Sequence, residues 1–210
     1  MLLSTPFSVG SEKQNKSNER RGSLKASKIL FLGNSLTLHG PRPDIEWFCN
    51  WGMAATAAEN DYVHRLTLAI KNRTKGDLLL DPADTKGSKG IENIRNIAAV
   101  FEVGYRTYEA SNLDRQLQWK ADIVIVQCGE NVPAQDFDAK AFHRALKTLL
   151  NDLKAASDPH IFVTGNILWS NTGLDDIKKE VCADDPTKRT FAGISKYASD
   201  VPKYGPVGHP

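Results

Sequence analysis

The chain has 210 residues, 40% hydrophobic and 25% charged, with 15 glycines and 10 prolines. That composition excludes collagen-like, low-complexity and wholly disordered chains, and the length suits one domain with its own core. Lys and Arg number 27 against 25 Asp and Glu, but six of the basic and two of the acidic residues fall within 1–28. The remainder is slightly acidic and offers no nucleic-acid surface. No apolar run approaches the ~20 residues of a membrane span.

Residues 1–27 are polar and basic from Ser11 onward, without apolar periodicity, and are expected to form a disordered tail. The first ten residues lack a charged n-region and a long enough apolar core for a signal peptide. The sequence as given therefore reads as cytoplasmic, with export the alternative if the start is mis-assigned. Cys49, Cys128 and Cys182 are too few and odd in number for a disulfide framework, and Cys128 reads as a buried thiol. No His, Cys or carboxylate spacing suits a metal, so neither a metal nor a cofactor is expected.

Strand-like and helix-like segments then alternate. Lys28–Leu32, Asp122–Cys128 and His160–Thr164 are apolar runs, each closed by a glycine, which suits strands buried on both faces of a parallel sheet. Weaker strands fall within Ile91–Val103 and at Thr190–Ile194. Helical stripes run over Thr56–Asn72, Ser111–Lys120 and Asp138–Ala155, the last with Asp136 and Asp138 in its first turn. Asp81–Gly90 and Ala183–Arg189 read as surface loops. The alternation predicts an α/β doubly wound sheet with helices on both faces.

In such sheets chemistry gathers at the carboxyl ends of the strands. Gly33-Asn34-Ser35 stands there after the first strand, Gly129-Glu130-Asn131 after the central one, and His209 near the end of the chain. A serine on a tight strand-to-helix turn can be a nucleophile if a base takes its proton and N–H groups receive the oxyanion. Ser35 is the candidate nucleophile, His209 the candidate base and Asn131 a candidate oxyanion donor. Leu38–Thr56, with His39, Trp47 and Trp51 among polar groups, is placed to line the site mouth. Its exposed aromatics would suit sugar rings.

Lys28–Thr37, Ile123–Asn131 and Val207–Pro210 resemble, in order, the first, third and last sequence blocks of the SGNH (GDSL-type) hydrolases. The resemblance covers roughly Lys28 to Pro210. It implies a flavodoxin-like three-layer α/β/α sandwich with a mainly parallel five-stranded sheet, and ester hydrolysis as the activity. Position by position it implies Ser35 as nucleophile, with its own N–H in the oxyanion hole, Asn131 as a second oxyanion donor and His209 as base. The substrate class it suggests is a small or glycan ester, with an acetyl or other short acyl group on a carbohydrate.

Three departures accompany it. The second-block glycine has no clear counterpart, Gly104 and the backbone near Ala98 and Ala99 being the candidates. Pro206 stands where the family has an aspartate that orients the histidine, and loss of that acid costs about 10⁴ in rate where a triad depends on it. No helix follows the last block, so residues 28–210 read as a domain lacking its C-terminal helix. These departures keep two other readings open: a non-catalytic carbohydrate-binding or interaction module, and a flavodoxin-like nucleotide or flavin binder.

Overall fold

The computed structural model describes residues 28–74, 93–168 and 173–197. The basic tail, the loop at Asp81–Gly90, Pro206 and His209 lie outside the described residues. Five strands, β1 (Ile29–Gly33), β2 (Ile94–Asn96), β3 (Ile123–Val126), β4 (His160–Thr164) and β5 (Arg189–Ala192), form one sheet in the order β2-β1-β3-β4-β5. Every pairing is parallel. The helices are α1 (Tyr62–Thr74), α2 (Asp114–Gln118), α3 (Ala139–Ser157) and α4 (Leu174–Ala183). The molecule is an α/β/α sandwich of the flavodoxin-like kind, as the sequence predicts.

The apolar runs are continuous because both faces of the central strands are covered. Leu30, Leu32, Val124 and Val126 join Phe142, Leu146, Leu149 and Leu150 of α3 in the larger core, with Leu174 and Val181 of α4. Ile29, Phe31, Ile123 and Ile125 face the other way, onto Val63 and the half-buried Leu66 and Ile70 of α1. Each large apolar side chain so buried contributes about 1.5–3 kcal/mol. β4 departs from the expectation of two buried faces. Ile161 and Val163 are buried, whereas His160, Phe162 and Thr164 are only half-buried, because α1 covers the far face only over the first strands.

Several boundaries shift for local reasons. α1 begins at Tyr62 rather than Thr56, after a short 3-10 turn at Ala58–Asn60. Asp138 lies just outside α3 and caps it, its carboxylate accepting from Ala141 N–H at 2.9 Å. The expected helix at Ser111–Lys120 divides into a 3-10 turn at Ala110–Leu113 followed by α2. Helix α4 has no counterpart in the sequence prediction, since Leu174-Asp-Asp-Ile-Lys-Lys-Glu180 looks like solvated chain. Lys178 explains it. Its side chain is fully buried, and its ammonium donates to Thr164 O at 3.1 Å, to Asp175 at 3.3 Å and to Asn166.

Candidate functional site

β1 delivers Ser35 on a tight turn, and the turn is built by its neighbour. Asn34 Oδ1 accepts from Leu36 N–H at 3.0 Å, and its carbonyl accepts from Thr37 and Leu38 N–H at 3.0 and 3.1 Å. Gly33 is required because a Cβ there would sit 1.7 Å from Thr37 Oγ1. No helix follows, contrary to the strand-to-helix expectation; the chain runs through an irregular segment to α1. With Asn34 doing the capping, the half-buried Ser35 has no hydrogen bond from its Oγ among the described residues.

The centre of the site is a residue that sequence reasoning missed. Glu102 is fully buried. It stands in the π-helix Ala98–Val103 that follows β2. Its Oε1 accepts from Asn34 Nδ2 at 3.0 Å, from Glu130 N–H at 3.0 Å and from Gly129 N–H; its Oε2 accepts from Asn131 Nδ2 at 2.5 Å. One carboxylate thus ties the Ser35 turn on β1 to the Gly129-Glu130-Asn131 turn on β3. The expected convergence of those two strand ends is present, and Glu102 is the link. Its only sequence signal is a carboxylate inside the otherwise apolar run Ala98-Ala-Val-Phe-Glu-Val103, where burial demands partners.

Gly104 and the backbone at Ala98 and Ala99 are the candidates for the missing glycine. Ala98 N–H is committed to Asn96 Oδ1 at 3.0 Å. Gly104 closes the π-helix, where a Cβ would lie 2.8 Å from Ala99 O. Gly129 adopts φ +124°, and a Cβ there would lie 2.4 Å from Asn166 Oδ1, so only glycine fits. The next turn is held by Glu130, which is buried and accepts from Ile167 N–H at 2.6 Å and Leu168 N–H at 3.3 Å. Cys128 is buried beneath the site, and burial pushes its thiol up to about 12.

The segment expected to line the site mouth is partly self-packed. Trp47 is only 4% exposed and donates from its indole to His39 O at 3.2 Å. This corrects its expected role as an open stacking surface: its ring is filled in by the loop's own packing, edge-on to Trp51 at 5.8 Å. Trp51 and His39 remain half-buried, the imidazole of His39 bonding Gly40 O through Nδ1 at 2.6 Å. Paired bridges between His39 and Trp51 and between Arg42 and Trp47 hold the loop. Among the described residues no cluster of three His, Cys, Asp or Glu is placed to hold a metal ion.

A cavity of about 370 Å³ opens on the α1 side of the sheet's carboxyl edge. Its walls come from Leu36, the segment leading into α1, and the residues just after β3, β4 and β5. Asp61 forms part of the wall. It is buried, accepts from Gly52 N–H at 3.3 Å and His64 N–H at 2.7 Å, and sits 2.8 Å from His64 Nδ1. Tyr62, also on the wall, bonds Thr37 Oγ1 through its hydroxyl at 2.6 Å, and burial raises its pKa. No protein-family model, curated protein or solved structure matches this chain.

Proposed function

We propose that the chain is a serine hydrolase of carboxylic esters, resembling the SGNH hydrolases, that removes a short acyl group from a carbohydrate or similar alcohol. The observation that carries this reading is Ser35 itself. Among the described residues its hydroxyl has no hydrogen bond, and it stands on a turn whose backbone Asn34 pins and which shares the buried carboxylate of Glu102 with Asn131. A serine whose backbone is fixed and whose hydroxyl is uncommitted is arranged for attack rather than for holding its own loop.

In this mechanism Ser35 Oγ attacks the ester carbonyl carbon as His209 takes its proton. The carbonyl π electrons move onto oxygen. The Ser35 N–H and the second Nδ2–H of Asn131 receive that charge, the first Nδ2–H being committed to Glu102. The tetrahedral intermediate collapses, the protonated His209 gives its proton to the departing alkoxide, and an acyl-serine remains. Water, deprotonated by His209, attacks the acyl carbon; the bond to Ser35 Oγ breaks, His209 returns the proton to that oxygen, and the acid leaves. Glu102 is a positioning residue here, holding the Asn131 amide and the Ser35 turn at once. Trp51 and His39 are the residues of the mouth left for the alcohol.

Hydrolysis of an aryl acetate, together with covalent labelling by a fluorophosphonate, tests the reading. Wild type should turn over and be labelled at Ser35. Ser35→Ala should abolish labelling and lower kcat/KM by about 10³-fold or more. Equal rates for both proteins, or glycan binding with no labelling, would overturn it in favour of a non-catalytic module.

A further inference from the structure

The cavity that Leu36, the residue after Ser35, helps to line takes Ala54, Ala55, Ile167, Leu168 and Ile194 into its walls together with Asp61 and Tyr62, and its floor holds the polar side chains of Gln127 and Thr164. Gln127 is 3% exposed, and among the described residues neither its Nε2 nor the buried Thr164 Oγ1 has a partner. The two are neighbours by register. Val126 of β3 pairs with Val163 of β4, and the next residue of each strand is Gln127 and Thr164. By alternation both turn to the face opposite Val126 and Val163.

The Gln127 amide is not free to flip. Its Oε1 accepts from Asn34 N–H at 3.3 Å and from Thr37 Oγ1 at 3.2 Å, so its NH₂ end is directed away from the Ser35 turn. A buried NH₂ and a buried hydroxyl, neighbours under mainly apolar walls, form a place for one oxygen atom on an otherwise hydrocarbon ligand. That oxygen would accept from Gln127 Nε2 and exchange a hydrogen bond with Thr164 Oγ1.

We infer that this cavity is the acyl site, built for an aliphatic acyl chain longer than acetyl that carries a hydroxyl or keto oxygen part-way along. The inference rests on the proposed esterase reading for the word acyl, whereas binding to the cavity can be measured without it. Leu36 places the apolar wall directly after the nucleophile, and Met53 N–H, which bonds Ser35 O at 2.9 Å, ties the wall's loop to the same turn. An acetyl group would leave most of about 370 Å³ unfilled.

The probes are neutral, non-hydrolysable amides: acetamide, hexanamide and β-hydroxyhexanamide, with dissociation constants read by ligand-observed NMR. Wild type should bind hexanamide at least tenfold more tightly than acetamide, and the β-hydroxy form more tightly still. Ala54→Phe should weaken hexanamide at least tenfold by filling the cavity. Thr164→Val, which removes the hydroxyl and keeps the shape, should erase the preference for the β-hydroxy form and leave hexanamide unchanged.

Equal binding of acetamide and hexanamide, or hexanamide binding indifferent to Ala54→Phe in a protein of wild-type melting temperature, would overturn the inference. So would a β-hydroxy preference that survives Thr164→Val. Fluorophosphonate labelling of Ser35, measured alongside, separates this outcome from failure of the esterase reading. A chain that binds the amides yet is never labelled keeps the cavity and loses the nucleophile.

Discussion

Glu102 has four N–H groups directed at its two oxygens, and an acceptor-only carboxylate is the side chain that satisfies all of them. Glu102→Gln keeps the shape and turns one oxygen into a donor, so at least one buried N–H loses its acceptor. The expected cost is about 1–3 kcal/mol, visible as a lower urea midpoint, and ester hydrolysis should fall because the Asn131 amide loses its anchor. Glu102→Asp, one methylene shorter, should keep the carboxylate but not the reach to both turns. At the thiols, burial holds Cys128 at about 12 and Cys182 at about 11, whereas Cys49 is partly exposed. Ellman's reagent at pH 8 should modify Cys49 alone in the native protein and all three only after unfolding.

Part of this residue-level detail was legible in the sequence. Gly33, Gly129 and Asn131 stand where strand ends should put them. Glu102 was not legible, because its four donors come from positions 34, 129, 130 and 131, which only the fold brings together. Trp47 was misjudged because an aromatic in a polar loop does not reveal whether the loop folds over it.

Among the elements, α3 is the most plainly written. Phe142, Ala145, Leu146, Leu149, Leu150 and Leu153 form its buried stripe, and Asp138 caps it. Asp138→Ala should lower the melting temperature with little effect on hydrolysis, since the cap touches only the helix start. Helix α4 was hidden by its own charges. Lys178 on the buried side breaks the apolar stripe, and its pairing with Asp175 and Asn166 is a tertiary fact. The π-helix at Ala98–Val103 was equally unreadable, since nothing in an Ala-Val-Phe run specifies one extra residue per turn. It is nonetheless what aims Glu102: deleting Val100 would restore ordinary helical spacing and swing residue 102 away from the two turns it joins. Strands β1 and β3 were legible because a central parallel strand buried on both faces leaves no room for a polar alternation.

At the scale of the molecule, every strand pair is parallel and non-local; Ile29 of β1 pairs with Ile123 of β3. The order β2-β1-β3-β4-β5 brings the ends of β1 and β3 together at the sheet's centre, where the candidate site stands. The surface carboxylates add a modest dependence on acid. Lys154 holds Asp185 at about 2, Arg42 holds Asp44 at about 2, and Lys147 and the Ala141 N–H lower Asp184 and Asp138. Their folded values lie below those of the unfolded chain, so their stabilisation is complete above pH about 4 and is lost as pH falls toward about 2. His160, pushed down by burial, adds an earlier loss that begins as pH falls below about 6.5. Urea midpoints measured between pH 7 and pH 2 should therefore decline in two stages, the shallower one first.

The two faces of the sheet are unequally guarded. The face under α3 and α4 packs against a deep cluster, while the other rests on α1, through Val63 and a few half-buried neighbours. Amide protons in α1 should therefore exchange with deuterium well before those of α3, through a local opening that leaves the rest of the sandwich closed. Because Asp61 and Tyr62 at the start of that helix form one side of the cavity, the same breathing would part its wall and give an oily ligand its way in.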